Sequence, residues 1–157
     1  MTVVEERGEV SVQRARQLRH RRKVDHLDYL RTVRALAATM RQVDLAEALG
    51  VSQAAISKTL ATAGSVDAVP PDFSGASPYE IAERYAAGQI DRDQLIDELG
   101  RFPYAPYPQT DGVDWLVDEV PNTAEGVVQA WRDGLIDEDT YVAIQRRIDR
   151  SGQTVDP

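Results

Sequence analysis

Few residues in this chain have the chemistry of a catalytic or metal-binding group. The chain has no cysteine and two histidines, His20 and His26, whose spacing places them on different faces of a helix, so shared zinc ligation is not expected. Two Asp-x-Asp pairs, at 91–93 and 137–139, lack the run of oxygen ligands of a calcium loop and are interpreted as helix caps. No Gly-rich phosphate loop, nucleophile elbow or HExxH motif is present. We therefore expect neither an enzyme nor a metal or cofactor site.

Composition predicts a globular chain of one or two small domains. Of the 157 residues, 42% are apolar and 28% are charged. No apolar block approaches the roughly 20 residues that span a bilayer, and the apolar residues 1–4 are followed at once by Glu5 and Glu6. We expect no membrane-spanning helix and no signal peptide. The lack of cysteine suits a reducing compartment, and a cytoplasmic location is expected.

The charge is divided unevenly along the chain. The formal net charge is -8, yet residues 1–64 carry 11 Lys and Arg against 7 Asp and Glu, a net +4, and residues 65–157 carry 7 against 19, a net -12. Asymmetry of this kind indicates a nucleic-acid contact at one end of a chain and a different task at the other.

The most informative stretch is QVDLAEALGVSQAAISKTL, from Gln42 to Leu60. Two helices that cross steeply need a small residue at their contact and a residue free to take a positive φ at the turn, and Ala46 and Gly50 meet these needs. Ser52 is placed to cap the second helix, leaving its amides open to an anion such as phosphate. Four apolar residues are predicted by their spacing to face inward: Leu45, Leu49, Val51 and Ile56.

This stretch resembles the helix-turn-helix of Cro/repressor-type bacterial and phage transcription regulators. The resemblance covers roughly 20 residues and is carried by Ala46, Gly50, Val51, Gln53, Ala55, Ile56 and Lys58. In that family the second helix enters the major groove of DNA and presents its first residues to the base edges.

The resemblance implies a set of DNA-contacting residues. Carried over position by position, they are Ser52, Gln53, Ala54, Ser57 and Lys58, with Gln42 on a backbone phosphate. The side-chain chemistry fits these roles: Gln53 can pair with adenine, Lys58 with guanine or phosphate, Ser57 with either, and the Ala54 methyl can touch a thymine methyl. The alternative is that an alanine-rich amphipathic hairpin serves only as a packing unit.

The rest of the basic half is predicted to be helical. Apolar residues at steps of three and four predict a helix from about Asp25 to Met40, followed by shorter helices over 43–49 and 53–63, with Gly64 as a stop. Residues 11–23, SVQRARQLRHRRK, carry many cations and few apolar residues, so any helix there would have a thin buried stripe. The cations from Arg14 to Lys23 form either a solvated charged face or a phosphate-contacting arm or helix.

The acidic half is predicted to contain two αα-hairpins. Residues 64–77 read GSVDAVPPDFSGAS, and this stretch has few residues that could be buried. The segment at 65–77 is therefore interpreted as a linker. IAERYAAGQIDRDQL at 81–95 aligns with VVQAWRDGLIDEDTY at 127–141, each with a helix, a glycine stop, an inward isoleucine and an aspartate cap. A Pro/aromatic-rich segment joins them, and within it WLVDEV at 115–120 is predicted to be either one short strand or a helical turn.

The sequence thus predicts an all-α chain with three regions. These are a basic helix-turn-helix domain at 1–64, a linker at 65–77 and an acidic helical-hairpin interaction region at 78–157. Tyr85 and Trp131 are expected to be core residues of the two hairpins.

Two functions from different classes are consistent with this organisation. The first is a sequence-specific DNA-binding regulator, a repressor, that works as a homodimer on double-stranded DNA. The second is an antitoxin-like protein that neutralises a partner protein through its acidic half and autoregulates its operon. A further possibility is that the acidic half folds back and restrains DNA binding.

Overall fold

The computed structural model describes residues 10–106 and 122–152, which form seven α-helices and no strand. The predicted all-α class is therefore confirmed for this part of the chain. The helices are α1 (Val12–Ala37), α2 (Gln42–Leu49), α3 (Gln53–Ala63), α4 (Pro78–Ala86), α5 (Arg92–Arg101), α6 (Glu125–Arg132) and α7 (Glu138–Arg150). None of the described helices is both long enough and apolar enough to cross a membrane.

The first helix is longer than the sequence predicted. The prediction of a helix from about Asp25 to Met40 is wrong at both ends, because α1 runs unbroken over 26 residues from a Ser11 cap whose hydroxyl accepts the Arg14 amide at 3.1 Å. At about 1.5 Å per residue, α1 is about 39 Å long. Leu36 and Met40 are exposed, whereas Val24 is fully buried. The N-terminal half of α1 is helical because α4 packs against it.

A small core holds α2 and α3 on the C-terminal half of α1. Val33, Leu45, Ala46 and Ile56 form it, and Ala37 and Leu60 pack at its edge. Burying each large aliphatic side chain here contributes about 2 kcal/mol. The helix-turn-helix stretch is thus supported by α1.

The two predicted hairpins are present and use the same backbone devices. Gly88 and Gly134 have φ values of 76° and 75°, a left-handed conformation that glycine adopts without steric cost. Asp91 accepts the Gln94 amide at 2.8 Å, and Asp137 accepts the Thr140 amide at 2.8 Å. The capping interpretation of both Asp-x-Asp pairs is confirmed.

The hairpins pack on each other, α4 on α6 and α5 on α7, around a larger apolar core. Its buried members are Ile81, Ala82, Leu95, Leu99, Phe102, Val127, Ala130, Leu135, Ile136, Ile144 and Ile148. The prediction for the aromatic pair is half right, because Tyr85 packs against this core whereas Trp131 is 39% exposed and stacks on Tyr141. A tryptophan at this position has one face free because no described element covers it.

A buried ion-pair seam joins α1 to α4. Both oxygens of Glu80 accept hydrogen bonds from Arg31, at 2.7 and 2.9 Å, and Glu80 also accepts from Arg84 at 2.9 Å and from the Ala76 amide at 3.0 Å. Arg84 forms a second fork with Asp28, at 2.9 and 2.6 Å. Burial alone would raise the pKa of Glu80, but the bonds from Arg31, Ala76 and Arg84 outweigh it and hold that pKa below its usual value.

The seam continues toward the N-terminus of α1. Lys23 donates to buried Glu83 at 2.6 Å, and His20 Nδ1 lies 3.5 Å from the same carboxylate oxygen. Beyond them the Gln17 amide lies against Gly88, where a Cβ would collide with it. About four turns of α1, from Gln17 to Arg31, therefore pack against one side of the first hairpin.

The segment at 65–77 contains no helix, as predicted, but it buries more than its composition indicated. Phe73 packs edge-on against Phe102 at 5.3 Å between ring centroids, and Ala76 is buried. Arg31 Nε donates to the Asp67 carbonyl at 2.9 Å. The prediction for 115–120 lies outside the described residues.

We predict that Glu80→Gln lowers the free energy of unfolding by about 3 kcal/mol, because it leaves Arg31 and Arg84 without their shared buried counter-charge. Chemical denaturation measures this. Glu125→Gln is the matched control, since its pair with Arg132 is more than half exposed and should change stability by less than about 0.5 kcal/mol.

The seam also predicts an acid dependence of stability. Because the folded-state pKa of Glu80 is lowered, its contribution is complete above the unfolded value of about 4.3 and is lost as the pH falls below it. The loss of stability between pH 5 and 3 should be smaller in Glu80→Gln than in the parent. An identical acid dependence in the two proteins would contradict the assignment.

Candidate nucleic-acid interface

The turn between α2 and α3 is built on one glycine. Gly50 ends α2 with φ 68° and ψ 30°, and its amide and that of Val51 return to the carbonyls of Glu47 and Ala46 at 3.1 and 3.0 Å. A residue with a Cβ is strained in this left-handed conformation. The turn predicted at Gly50 is confirmed.

The orientation of α3 is fixed by a cap at its start and by buried residues on one side. Ser52 Oγ accepts the Ala55 amide at 3.1 Å, as the sequence predicted. Ile56 and Ala63 are fully buried, and Leu60 packs against the same core. The opposite side of α3 therefore faces away from α1.

All six residues predicted to contact DNA are exposed. They are Gln42, Ser52, Gln53, Ala54, Ser57 and Lys58. Gln42 begins α2, and the other five lie at the start of α3 or on its exposed side. We call this set of exposed residues the α3 face.

The polar side chains of α3 differ in whether they already make hydrogen bonds within the protein. Thr59 and Thr62 donate their hydroxyls to carbonyls one turn earlier, at 2.9 and 3.2 Å. Within residues 10–106 and 122–152, Gln53, Ser57 and Lys58 have no side-chain hydrogen-bond partner. The hydrogen-bonding groups of these three side chains are therefore available to an external ligand.

The two acidic residues of α2 differ in whether their charge is paired within the helix. Asp44 accepts a two-pronged bond from Arg41, at 2.8 and 3.0 Å, so its charge is compensated locally. Glu47 is exposed on α2 and precedes the turn. The only charged side chain that α3 itself carries is Lys58.

Two of the four residues predicted to face inward do not. Leu45 and Ile56 are buried, but Leu49 is 42% and Val51 is 41% exposed. The prediction for these two is wrong because α2 has only eight residues and its last turn extends past the end of the small core.

The structure adds two residues that the sequence reasoning missed. Ala61 is exposed seven residues after Ala54, and this two-turn spacing extends the small-residue surface of α3. Arg34 of α1 donates to the carbonyls of Ala63 and Val66, both at 2.8 Å, and so braces the end of α3. The spacing of Ala54 and Ala61 is visible in the sequence. No local sequence pattern indicates that Arg34 contacts the end of α3, because its partners are 29 and 32 residues away.

The acidic half does not cover the α3 face in the described part of the chain. The hairpins reach the basic half through α4 on α1, and α2 and α3 pack on α1 and on each other. The idea that the hairpins restrain DNA binding by direct coverage therefore has no support among these residues.

Comparison with known proteins found no match. No protein-family model, no curated protein and no solved structure is similar to the chain. The case for a function consequently depends on the geometry and chemistry of the chain itself.

We predict that Gly50→Ala lowers the free energy of unfolding by about 1 kcal/mol, from backbone strain alone, because a Cβ at this position would meet no atom within 4 Å. Gly64→Ala is the matched control, since Gly64 is right-handed with φ −62° and has room for a methyl group. Thermal melts measure both. Equal effects of the two changes would contradict the assigned turn.

Proposed function

We propose that the chain is a sequence-specific DNA-binding transcription regulator that reads operator half-sites with α3. The observation that carries this proposal is the α3 face: a capped helix whose inner side is buried and whose outer side exposes Gln53, Ser57 and Lys58, none of which has a side-chain partner among the described residues. An α-helix of this kind fits the major groove of B-form DNA.

Each exposed side chain has a defined chemical use in the groove. The Gln53 amide can donate to and accept from adenine, and Lys58 can donate to guanine or to a phosphate. Ala54 and Ala61 are short enough to let the helix backbone approach the bases, and a methyl group there can contact thymine. Gln42, at the start of α2, is suited to a phosphate beside the groove.

A single α3 supplies too few base contacts for a specific operator, so the proposal includes a homodimer. Two copies would read half-sites about 34 Å apart, one turn of the double helix. A bound dimer on a promoter would act as a repressor by excluding polymerase, and the proposed location is the cytoplasm.

The first experiment is selection of bound sequences from random duplex DNA by the full-length chain at two salt concentrations. We expect an enriched inverted repeat and a steep loss of affinity as salt increases. Enrichment of no sequence, together with an affinity that does not depend on salt, would refute the proposal.

We predict that Gln53→Ala and Lys58→Ala each weaken binding to the selected site by about 1 to 3 kcal/mol. Gln53→Ala should also relax the base preference at one position of each half-site. The controls are Gln13→Ala, an exposed glutamine of α1, and Arg146→Ala, an exposed cation of α7, and both should bind as the parent does. Full binding by both α3 variants would mean that α3 is not the reading helix.

The second hypothesis, an antitoxin-like protein, has one observation in its favour. Trp131 is 39% exposed and stacks on Tyr141, and α6 and α7 carry the exposed carboxylates Glu125, Glu138 and Asp139. An aromatic residue with an acidic rim suits a basic protein partner. Stoichiometric co-purification with a basic protein, lost in Trp131→Ala, would support this function; a pure homodimer would count against it.

A further inference from the structure

The cations of α1 divide into two groups by their contacts. Three of the six between residues 14 and 23 have a partner in the described structure. These pairs are Arg14 with Gln17, Arg21 with Asp25 and Lys23 with Glu83. Arg16, Arg19 and Arg22 are exposed and have neither a hydrogen bond nor an ion pair to any described residue. We call these three the arginine row.

The arginine row lies on the side of α1 that carries α3. An α-helix has 3.6 residues per turn, so residues eighteen apart are five turns apart and point the same way. Arg19 is therefore aligned with Ala37, and Arg16 with Arg34. Ala37 packs at the core beneath α3, and Arg34 holds the Ala63 carbonyl at the end of α3.

The third arginine shares this direction. Arg22 is eleven residues, about three turns, before Val33, which lies in the same small core as Ile56 of α3. Along the helix axis this places Arg22 about 17 Å, and Arg19 about 21 Å, from Val33. Arg14 and Arg21 project from the opposite side of α1.

The depth of the major groove would bring the arginine row close to the phosphates of the DNA. Packed helices have axes about 8 to 10 Å apart, and the major groove is about 8.5 Å deep. When α3 lies in the groove, the α3 side of α1 therefore lies near the level of the phosphates. A guanidinium group matches the geometry of a phosphate and remains charged at every physiological pH.

We propose that Arg16, Arg19 and Arg22 bind the sugar-phosphate backbone of the same DNA duplex that α3 reads. This inference rests on the proposed function and deepens it, because it adds a sequence-independent contact surface on α1. The row supplies affinity and orientation, whereas Gln53 and Lys58 supply the base preference.

The test compares two triple variants of the full-length chain on the selected operator. The row variant combines Arg16→Gln, Arg19→Gln and Arg22→Gln. The control variant loses the same amount of positive charge elsewhere on the protein and combines Arg14→Gln, Arg21→Gln and Arg146→Gln. Glutamine has nearly the helix propensity of arginine, and a thermal melt verifies that both variants fold. The measured quantity is the slope of the logarithm of the binding constant against the logarithm of the salt concentration.

We expect the row variant to have a slope shallower by about 2.7, which corresponds to three phosphate contacts at 0.9 each, and to lose affinity for specific and unrelated duplexes alike. The control variant should keep a slope within about 0.5 of the parent. A row variant with the parent's slope, or a control that loses as much as the row variant, would overturn the inference. A parent chain that binds no duplex would overturn both this inference and the proposed function.

Discussion

The packing of the first hairpin on α1 depends on one buried carboxylate. Glu80 is held by Arg31 of α1 and Arg84 of its own helix, and all three are largely removed from water. Separating α1 from α4 would leave uncompensated charges in an apolar setting, which costs more than the pair itself contributes. This one-sided penalty holds the first hairpin along residues 17–31 of α1, while α2 and α3 pack around Val33 and Ala37 near the C-terminal end of the helix.

The seam also explains how a chain of net charge -8 can have a surface for an anion. Glu80 and Glu83 are buried against cations of α1 and contribute little to the field outside the protein. The α3 face and the arginine row have no such carboxylates paired to them in the described structure. Fields act over about 10 Å at ordinary salt, so binding of the proposed DNA ligand would depend on the local balance of charge rather than on the net charge.

Features that depend on neighbouring residues could be predicted from the sequence, and features that depend on distant ones could not. The Gly50 turn, the Ser52 cap and the two aspartate caps are local signals, and each is found where it was predicted. The helix over residues 12–24 was not predicted, because its support comes from a distant part of the sequence: Lys23 meets Glu83 across 60 residues. The hairpin repeat likewise predicted the backbone shape, but it did not reveal that Trp131 is 39% exposed.

The composition of α3 sets how much sequence information one copy can read. Three of its seven exposed residues are alanine, which allows close approach but distinguishes only a thymine methyl, and Gln53 and Lys58 are its two side chains capable of a two-pronged bond to a base. One such bond discriminates by about 1 to 3 kcal/mol, whereas specific sites are preferred over random DNA by about 4 to 10 kcal/mol. A single copy would therefore bind DNA with little selectivity. Selectivity of the usual size requires two copies of α3 on one site together with the sequence-dependent shape of the DNA between them.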